Sequence, residues 1–292
     1  MMSDGINNVL VIGAGTMGAG IAEVCAKAGC NVRLSDVNPE VLEKGLSRIA
    51  ASLAKAVTKG KLDAESADAA KARITGAGDW GEVPSYHLVV EAVPENMALK
   101  KKLFGEIAKS NPDCLLASNT SSLSVTEIAA ACDNPGRVLG MHFFNPPPIM
   151  PLLEIVGAEQ TEAAQLDRAK AFAERIGKSP IVVRDMPGFA TSRLGIILGM
   201  EAIRMLEQGV ASAADIDAAM ELGYRHPMGP LKLTDLVGLD VRLAIADHLT
   251  KELGPQFAPP PLLRMLVRAG KLGKKSGEGF YKWVDGKAVA KG

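Results

Sequence analysis

Cysteine, histidine and aromatic side chains are scarce in this 292-residue chain: there are four cysteines and four histidines, and aromatics make up 4%. Cys25, Cys30, Cys114 and Cys132 show no C-x-x-C spacing and have no histidine beside them in sequence, so neither a metal site nor a disulfide framework is expected. Each sits in an apolar or helical context, which reads as four buried free thiols of a reducing compartment, and the cytoplasm is the expected location. No apolar run approaches the roughly 20 residues that span a bilayer. The N-terminus, Met-Met-Ser-Asp-Gly-Ile-Asn, lacks a basic segment followed by an apolar one, so no signal peptide is expected. Charge of one sign is missing too. The 33 basic and 33 acidic residues balance, which leaves no electrostatic footprint for nucleic acid or an anionic membrane. What the chain has in quantity is hydrophobic residues, at 47%, enough for two domains with substantial cores.

The most informative segment is Val9-Leu-Val-Ile-Gly-Ala-Gly-Thr-Met-Gly-Ala-Gly-Ile-Ala22. A short β-branched strand runs straight into a glycine turn, and Ile21 to Ala28 reads as the helix after it. Gly13, Gly15 and Gly18 stand at the G-x-G-x-x-G spacing. The first permits the tight turn, the second lets a pyrophosphate approach bare backbone, and the third lets helix and strand pack closely. Thr16 and Met17, within the turn, join the expected cofactor-binding residues, and the N-terminus of the following helix offers N–H groups and a positive dipole end to phosphates. A second apolar segment, Asn31-Val-Arg-Leu-Ser35, ends in Asp36, about 20 residues beyond the turn. A carboxylate there accepts hydrogen bonds from both adenosine ribose hydroxyls and repels a 2′-phosphate by roughly 1–4 kcal/mol, depending on the dielectric. The combination points to a dinucleotide, and to NAD over NADP. A helix N-cap or turn role for Asp36, just before Asn38-Pro39, is the structural alternative.

Apolar strand-like runs alternate with longer amphipathic segments through the first two-thirds of the chain, the pattern of a mostly parallel sheet with crossover helices. A helix is expected over Pro39 to about Thr58 and another over Leu62 to Ala72, a pair that projects from the sheet. Strands are expected at Leu88–Val93, Cys114–Ser118, Val138–Phe144, Leu152–Val156 and Ser179–Val183. Ser124-Val-Thr-Glu127 is a capping box that starts a helix reaching Cys132. Near Asp185 the pattern changes, with Pro187 and Gly188 as punctuation. Helices then follow over Phe189–Gln208, Ala213–Leu222, Leu231–Leu253 and Pro260–Ala269. The first is apolar around most of its circumference, so protein must surround it, and part of that cover is expected from a second subunit. The expected fold is α/β: a Rossmann-type domain over 1–185, then a smaller all-helical domain over 186–292.

Chemistry concentrates at two residues. His142 lies at the carboxyl end of an expected strand, where open parallel sheets bind ligands. Twelve residues later Glu154 interrupts the apolar strand Pro151-Leu-Leu-Glu-Ile-Val156, and a buried carboxylate needs a partner. Paired, the carboxylate would fix the imidazole tautomer and stabilise imidazolium, as an acid/base for alcohol–ketone interconversion requires. Taken singly, His142 reads equally well as a satisfied core histidine, and Glu154 as an edge residue facing water.

Seven motifs in order carry a resemblance over essentially the whole chain: Gly13 to Gly20, Glu91-Ala-Val-Pro-Glu-Asn96, Ser118-Asn-Thr-Ser-Ser-Leu123, His142-Phe-Phe-Asn-Pro146, Pro187-Gly-Phe189, His226-Pro-Met-Gly-Pro230 and Gly273-Lys-Lys-Ser-Gly-Glu-Gly-Phe-Tyr281. The chain resembles the L-3-hydroxyacyl-CoA dehydrogenases, the short 3-hydroxybutyryl-CoA type in particular. The resemblance implies NAD as cofactor, an acyl-CoA substrate and a homodimer through the helical domain. It implies His142 as general base, oriented by Glu154, with Ser121 bonding the substrate oxygen near the nicotinamide and Asn145 contacting the cofactor. Glu95 and Lys100 fall on positions around the cofactor's ribose and nicotinamide side, and Lys275 on a cofactor contact. Ser52 and Lys59 match positions that touch coenzyme A, although Lys55, Lys59 and Lys61 read by composition as a solvated face. One departure stands out. The chain reads Ala190-Thr-Ser-Arg193 where better-known members have an asparagine–arginine pair, so Ser192 replaces an asparagine that holds the substrate. A serine is shorter and reaches the same oxygen only through a shift or a water. A free hydroxy acid as substrate, as in gulonate or carnitine dehydrogenases, and a non-catalytic NAD-binding role are the alternatives.

Overall fold

The computed structural model describes residues 5–79 and 86–291, so Met1–Asp4, considered above for a signal, lie outside it. Two compact units divide the chain, Met1–Met186 and Pro187–Gly292.

The first unit is built on an eight-stranded sheet. In chain order it runs β1 (Asn8–Ile12), α1 (Thr16–Lys27), β2 (Asn31–Ser35), α2 (Pro39–Thr58), α3 (Ala64–Ala72), β3 (Ile74–Ala77), β4 (Leu88–Glu91), α4 (Met97–Ser110), β5 (Leu115–Ser118), α5 (Val125–Ala129), β6 (Val138–Phe143), β7 (Leu152–Gly157), α6 (Ala163–Arg175) and β8 (Ser179–Arg184). The strand order is β3-β2-β1-β4-β5-β6-β7-β8, parallel at every pairing except β6 with β7. The order reverses at β1, so the crevice beside β1 and β4 is the switch point where such sheets take dinucleotides. β1, β4 and β5 are buried along nearly their whole length, which is why they read as continuous apolar runs rather than alternating ones.

Two expectations for this unit change. β3 falls where no strand was expected: Ile74-Thr-Gly-Ala77 is an edge strand only four residues long, too short for an alternating signal. The α2–α3 pair is therefore the crossover from β2 to β3, and Gly45, Ile49, Leu53, Ala67 and Ala70 attach it to the unit along one face. α5 stops at Ala129, short of Cys132. Ser124 accepts from the Glu127 N–H at 3.2 Å, but Glu127 turns to Lys101, and the Ser124 hydroxyl donates to Asp185.

The second unit is helical except at its end: α7 (Thr191–Glu207), α8 (Ala213–Ala218), a π turn over Ala219–Gly223, α9 (Pro230–Val237), α10 (Leu239–Leu253), α11 (Pro261–Arg268) and a hairpin of β9 (Lys282–Val284) and β10 (Lys287–Val289). The hairpin corrects the all-helical expectation. Its turn is Asp285-Gly286, both with positive φ, a strong hairpin dipeptide hidden between two three-residue charged strands. The single helix expected over Leu231–Leu253 is two, because Gly238 sits at φ +109 and ends α9. Two buried aspartates organise this unit. Asp217 accepts from the Leu231 and Lys232 N–H groups at the start of α9 and from the Tyr281 hydroxyl. Asp235 accepts from the Phe280 and Tyr281 amides and the Trp283 indole. A Cβ on Gly229 would fall 2.2 Å from Asp217, and one on Gly279 would fall 2.1 Å from Asp235. The His226–Pro230 and Gly273–Tyr281 motifs thus hold these carboxylates, which is a structural task.

Candidate active site

Four elements of the first unit converge at the carboxyl edge of the sheet. The glycine turn comes first. Gly13 takes φ +98 and its amide bonds Ser35 O at 2.8 Å, while a Cβ on Gly18 would lie 1.7 Å from Gly13 O. Those two glycines serve the protein's own packing. Gly15 does not: a Cβ there meets nothing within 4 Å. Gly15 is also the N-cap of α1, with no side chain bonded to the first-turn amides and no acid among Thr16, Met17 and Gly18. Bare backbone facing open space at a helix N-terminus is the fit a pyrophosphate needs. Asp36, half-buried at the end of β2, accepts from the Ala14 amide at 2.8 Å and the Asn38 amide at 2.9 Å. Asn38 is itself the N-cap of α2. The turn role of Asp36 is therefore real, and its oxygens keep lone pairs for further donors.

Next come the ends of β4 and β5. Glu91, fully buried, accepts from Lys100 Nζ at 2.6 Å, Ser118 Oγ at 2.7 Å and the Val93 amide at 2.7 Å. Lys100 Nζ lies 3.2 Å from Glu95 as well. Glu95 in turn accepts from Thr120 Oγ1 and the Ser121 amide, each at 2.8 Å, and from Ser121 Oγ at 3.3 Å. Lys100 is 1% exposed, so it is no solvated surface lysine. A buried ion pair endures only with its remaining sites bonded, and this network meets that condition. It ties Ser121 to the sheet through Glu95.

His142 and Glu154 stand directly opposite each other in the antiparallel β6–β7 pair, which puts both side chains on one face. His142 Nδ1 lies 2.7 Å from Glu154 Oε2; the histidine is 8% exposed and the glutamate 0%. The Phe144 ring packs 4.6 Å from the imidazole, centre to centre. Asn145, exposed, follows at a cis peptide to Pro146. Lys178 pins the intervening loop by donating to Pro147 O and Met150 O, and burial pushes its ammonium below the usual lysine range.

The expected coenzyme A contacts divide. Lys59 is the exposed C-cap of α2. Ser52 instead lies beside Glu23 of α1; burial pushes that carboxyl up and the serine hydroxyl pulls it partly back. In the second unit, Ser192 is half-buried in the first turn of α7. Lys275 Nζ is paired with Asp240, 2.6 Å from Oδ2. Among the described residues no cluster of three or more His, Cys, Asp or Glu is placed to hold a metal, and no helix is long and apolar enough to cross a membrane. The four cysteines are buried, and no disulfide joins them.

Family comparison decides what this arrangement belongs to. The NAD-binding domain of 3-hydroxyacyl-CoA dehydrogenase matches residues 8–186, and the C-terminal domain of the same enzyme matches residues 188–283. The chain belongs to the 3-hydroxyacyl-CoA dehydrogenase family. It is an NAD-dependent oxidoreductase with a Rossmann-type domain and a helical C-terminal domain. It is 45% identical over 284 residues to the 3-hydroxybutyryl-CoA dehydrogenase of Mycobacterium tuberculosis, covering 96% of this chain and 99% of that one. The crystal structure of (S)-3-hydroxybutyryl-CoA dehydrogenase PaaH1 from Ralstonia eutropha superposes with a TM-score of 0.91 at 39% identity, covering 96% of this chain and 100% of the other. The 3-hydroxyadipyl-CoA dehydrogenase of Escherichia coli is 42% identical over 281 residues, 95% of this chain and 59% of that one.

Sequence reasoning gave no role to three residues of this 3-hydroxyacyl-CoA dehydrogenase's candidate site: Glu91 and Ser118, quoted only as ends of motifs, and Lys178. Glu91 closes the apolar run Leu88-Val-Val-Glu, the same signal that drew attention to Glu154, and could have been found that way. Nothing in sequence marks Lys178, whose partners are backbone carbonyls about 30 residues earlier.

Proposed function

We propose that the protein interconverts a short-chain L-3-hydroxyacyl-CoA, 3-hydroxybutyryl-CoA foremost, and its 3-oxoacyl-CoA, with His142 as general acid/base. The observation that carries this reading is the buried His142–Glu154 contact at the carboxyl edge of the sheet. NAD, when bound, takes up the hydride or returns it as NADH. His142 does the proton work: with Nδ1 held by Glu154, Nε2 takes the 3-hydroxyl proton in oxidation and gives it back in reduction. Glu154 fixes the tautomer and balances the charge that forms on the ring. Ser121, held by Glu95, donates to the substrate oxygen, and Asn145 contacts the cofactor beside it. Gly13, Gly15, Thr16, Met17 and Gly18 hold the pyrophosphate. Asp36 takes the ribose hydroxyls and disfavours a 2′-phosphate.

Glu95 and Lys100 serve the nicotinamide side of the cofactor, with Lys100 acting through Glu95 because it is sealed from solvent. Lys59 and Ser52 meet coenzyme A, Ser52 after turning away from Glu23. Ser192 holds the substrate and Lys275 touches the cofactor after leaving Asp240. The protein works in the cytoplasm as a homodimer through its helical domain. In support, the exposed Leu194 on α7 and Val241 on α10, at 68% and 41%, leave apolar surface for a second copy. The test is reduction of acetoacetyl-CoA followed by loss of NADH absorbance, with NADPH and a free 3-oxo acid in parallel. Fast NADH use with little NADPH use is expected. Preference for NADPH overturns the role of Asp36, and turnover of the free acid alone overturns the coenzyme A reading.

A further inference from the structure

The last residue of β5 and the three after it, Ser118-Asn-Thr-Ser121, each commit a side chain to the surrounding fold. Ser118 Oγ donates to Glu91 Oε2 at 2.7 Å, Thr120 Oγ1 to Glu95 Oε1 at 2.8 Å and Ser121 Oγ to the same Glu95 oxygen at 3.3 Å. The Asn119 backbone N–H follows them, donating to Glu91 O at 2.8 Å. All of these bonds look back to β4 and the turn after it. The Asn119 side chain does not. Its Oδ1 accepts from the Phe143 N–H at 2.9 Å, across on β6. Chemistry fixes that amide's orientation, because a backbone N–H needs an acceptor and only the oxygen end supplies one.

This bond stands where the sheet has stopped. β5 and β6 pair from Leu116 with Val138 to Ser118 with Gly140, and no rung follows. His142 and Phe143 lie past that last rung, so the ladder between these strands does not hold them. The Phe143 N–H shares one rigid peptide plane with the His142 carbonyl. Holding that plane from the β5 side fixes the backbone from which the imidazole projects, while β7 pairs with His142 on the other side.

We infer that Asn119 is a positioning residue of the reaction, setting the spacing between the Ser121 hydroxyl and the His142 imidazole. This rests on the proposed roles of those two groups. Both act on one substrate oxygen, so both must stand within about 3 Å of the same point. Ser121 takes its place from Glu95, and His142 from Glu154. Asn119 joins these two halves into one frame. A misplacement of about 1 Å between reacting groups costs up to about a hundredfold in rate.

The experiment is a double-mutant cycle on kcat for acetoacetyl-CoA reduction by NADH, in the wild type, Asn119→Leu, Ser121→Ala and the variant carrying both. Leucine keeps the bulk of asparagine and removes the acceptor. In Asn119→Leu kcat falls by about tenfold or more. KM for acetoacetyl-CoA and NADH affinity stay within about twofold, because the groups that bind the two ligands are untouched. With Ser121 already truncated, the same substitution costs less than about threefold, since no hydroxyl is left to misplace. Asn119→Asp keeps an oxygen at the same reach and restores kcat to within about fivefold of wild type. If Asn119→Leu fails to fold, Asn119→Ser, too short to reach the Phe143 amide, replaces it in the cycle with the same expected result. An equal loss with and without the Ser121 hydroxyl makes Asn119 a structural residue only and overturns the inference. So does kcat within about twofold of wild type in the folded leucine or serine variant, or an aspartate variant as slow as either. No turnover by the wild type is failure of the proposed activity itself, and wild-type kcat in Ser121→Ala is failure of the role given to Ser121; either removes the ground of the inference.

Discussion

Replacing Glu154 by glutamine keeps the volume of a side chain with no solvent exposure and keeps an acceptor for His142, but removes the negative charge 2.7 Å from Nδ1. A hydrogen bond to a charged partner is worth about 1.5–3 kcal/mol and a neutral one about 0.5–1.5. The imidazolium that forms as His142 takes the substrate proton thus loses roughly 1–2 kcal/mol of support. At about 1.4 kcal/mol per factor of ten, oxidation slows by roughly 5- to 30-fold. The effect belongs in kcat, because Glu154 acts on charge that develops only during the reaction. NADH affinity should stay within about twofold, since the glycine turn and Asp36 are on other strands of the sheet. Steady-state oxidation of 3-hydroxybutyryl-CoA, with thermal unfolding as a control on the fold, measures all three quantities. A folded Glu154→Gln variant with kcat within twofold of wild type would refute the reasoning, and Glu154 would then be a packing residue.

The two glycines of the turn separate cleanly. Gly15→Ala should leave the melting temperature unchanged, because its Cβ meets nothing, yet weaken NADH binding measured by fluorescence titration; Gly18→Ala should destabilise strongly, since its Cβ would strike Gly13 O. Lys100→Met leaves Glu91 buried and unpaired, an expected cost of about 3–5 kcal/mol in urea unfolding, and adding Glu91→Gln to it should recover part of that loss. Glu278 is held down to about 2 by Lys271 and Lys291, a depressed carboxylate whose stabilisation is present above its ordinary value of about 4.5 and fades as pH falls toward 2. The melting-temperature gap between wild type and Glu278→Gln should accordingly be full at pH 6 and shrink below about pH 4.5; a gap that is flat with pH contradicts the pairing.

Much of this was legible from residue order because the signals are local. The glycine spacing, the apolar parallel strands and the lone carboxylate of Pro151–Val156 each depend on a few consecutive residues. His142 and Glu154 could be paired in advance since a twelve-residue separation suits two neighbouring strands, and the register makes them direct partners. The losses are long-range or weakly coded. β3 is too short to show a period, and Gly238 breaks a pattern that otherwise continues from α9 into α10. Lys100 reads as a surface lysine until the fold brings Glu91 to it. Ser52 reads as a ligand contact by resemblance, whereas packing of α2 on α1 turns it to Glu23. The His226–Pro230 and Gly273–Tyr281 motifs identify the family yet serve Asp217 and Asp235. Arg242 carries no local mark at all, although it is, with Arg137, one of two buried arginines among the described residues.

The central claim is that His142 moves the proton while the glycine turn and Asp36 hold the cofactor. Rapid mixing of NADH-loaded His142→Asn enzyme with acetoacetyl-CoA tests it most directly, with NADH binding titrated on the same preparation. The account predicts wild-type NADH affinity and NADH oxidation slower by at least about a hundredfold, the usual contribution of a positioned acid/base. Oxidation within tenfold of wild type in a folded, NADH-binding variant would contradict it.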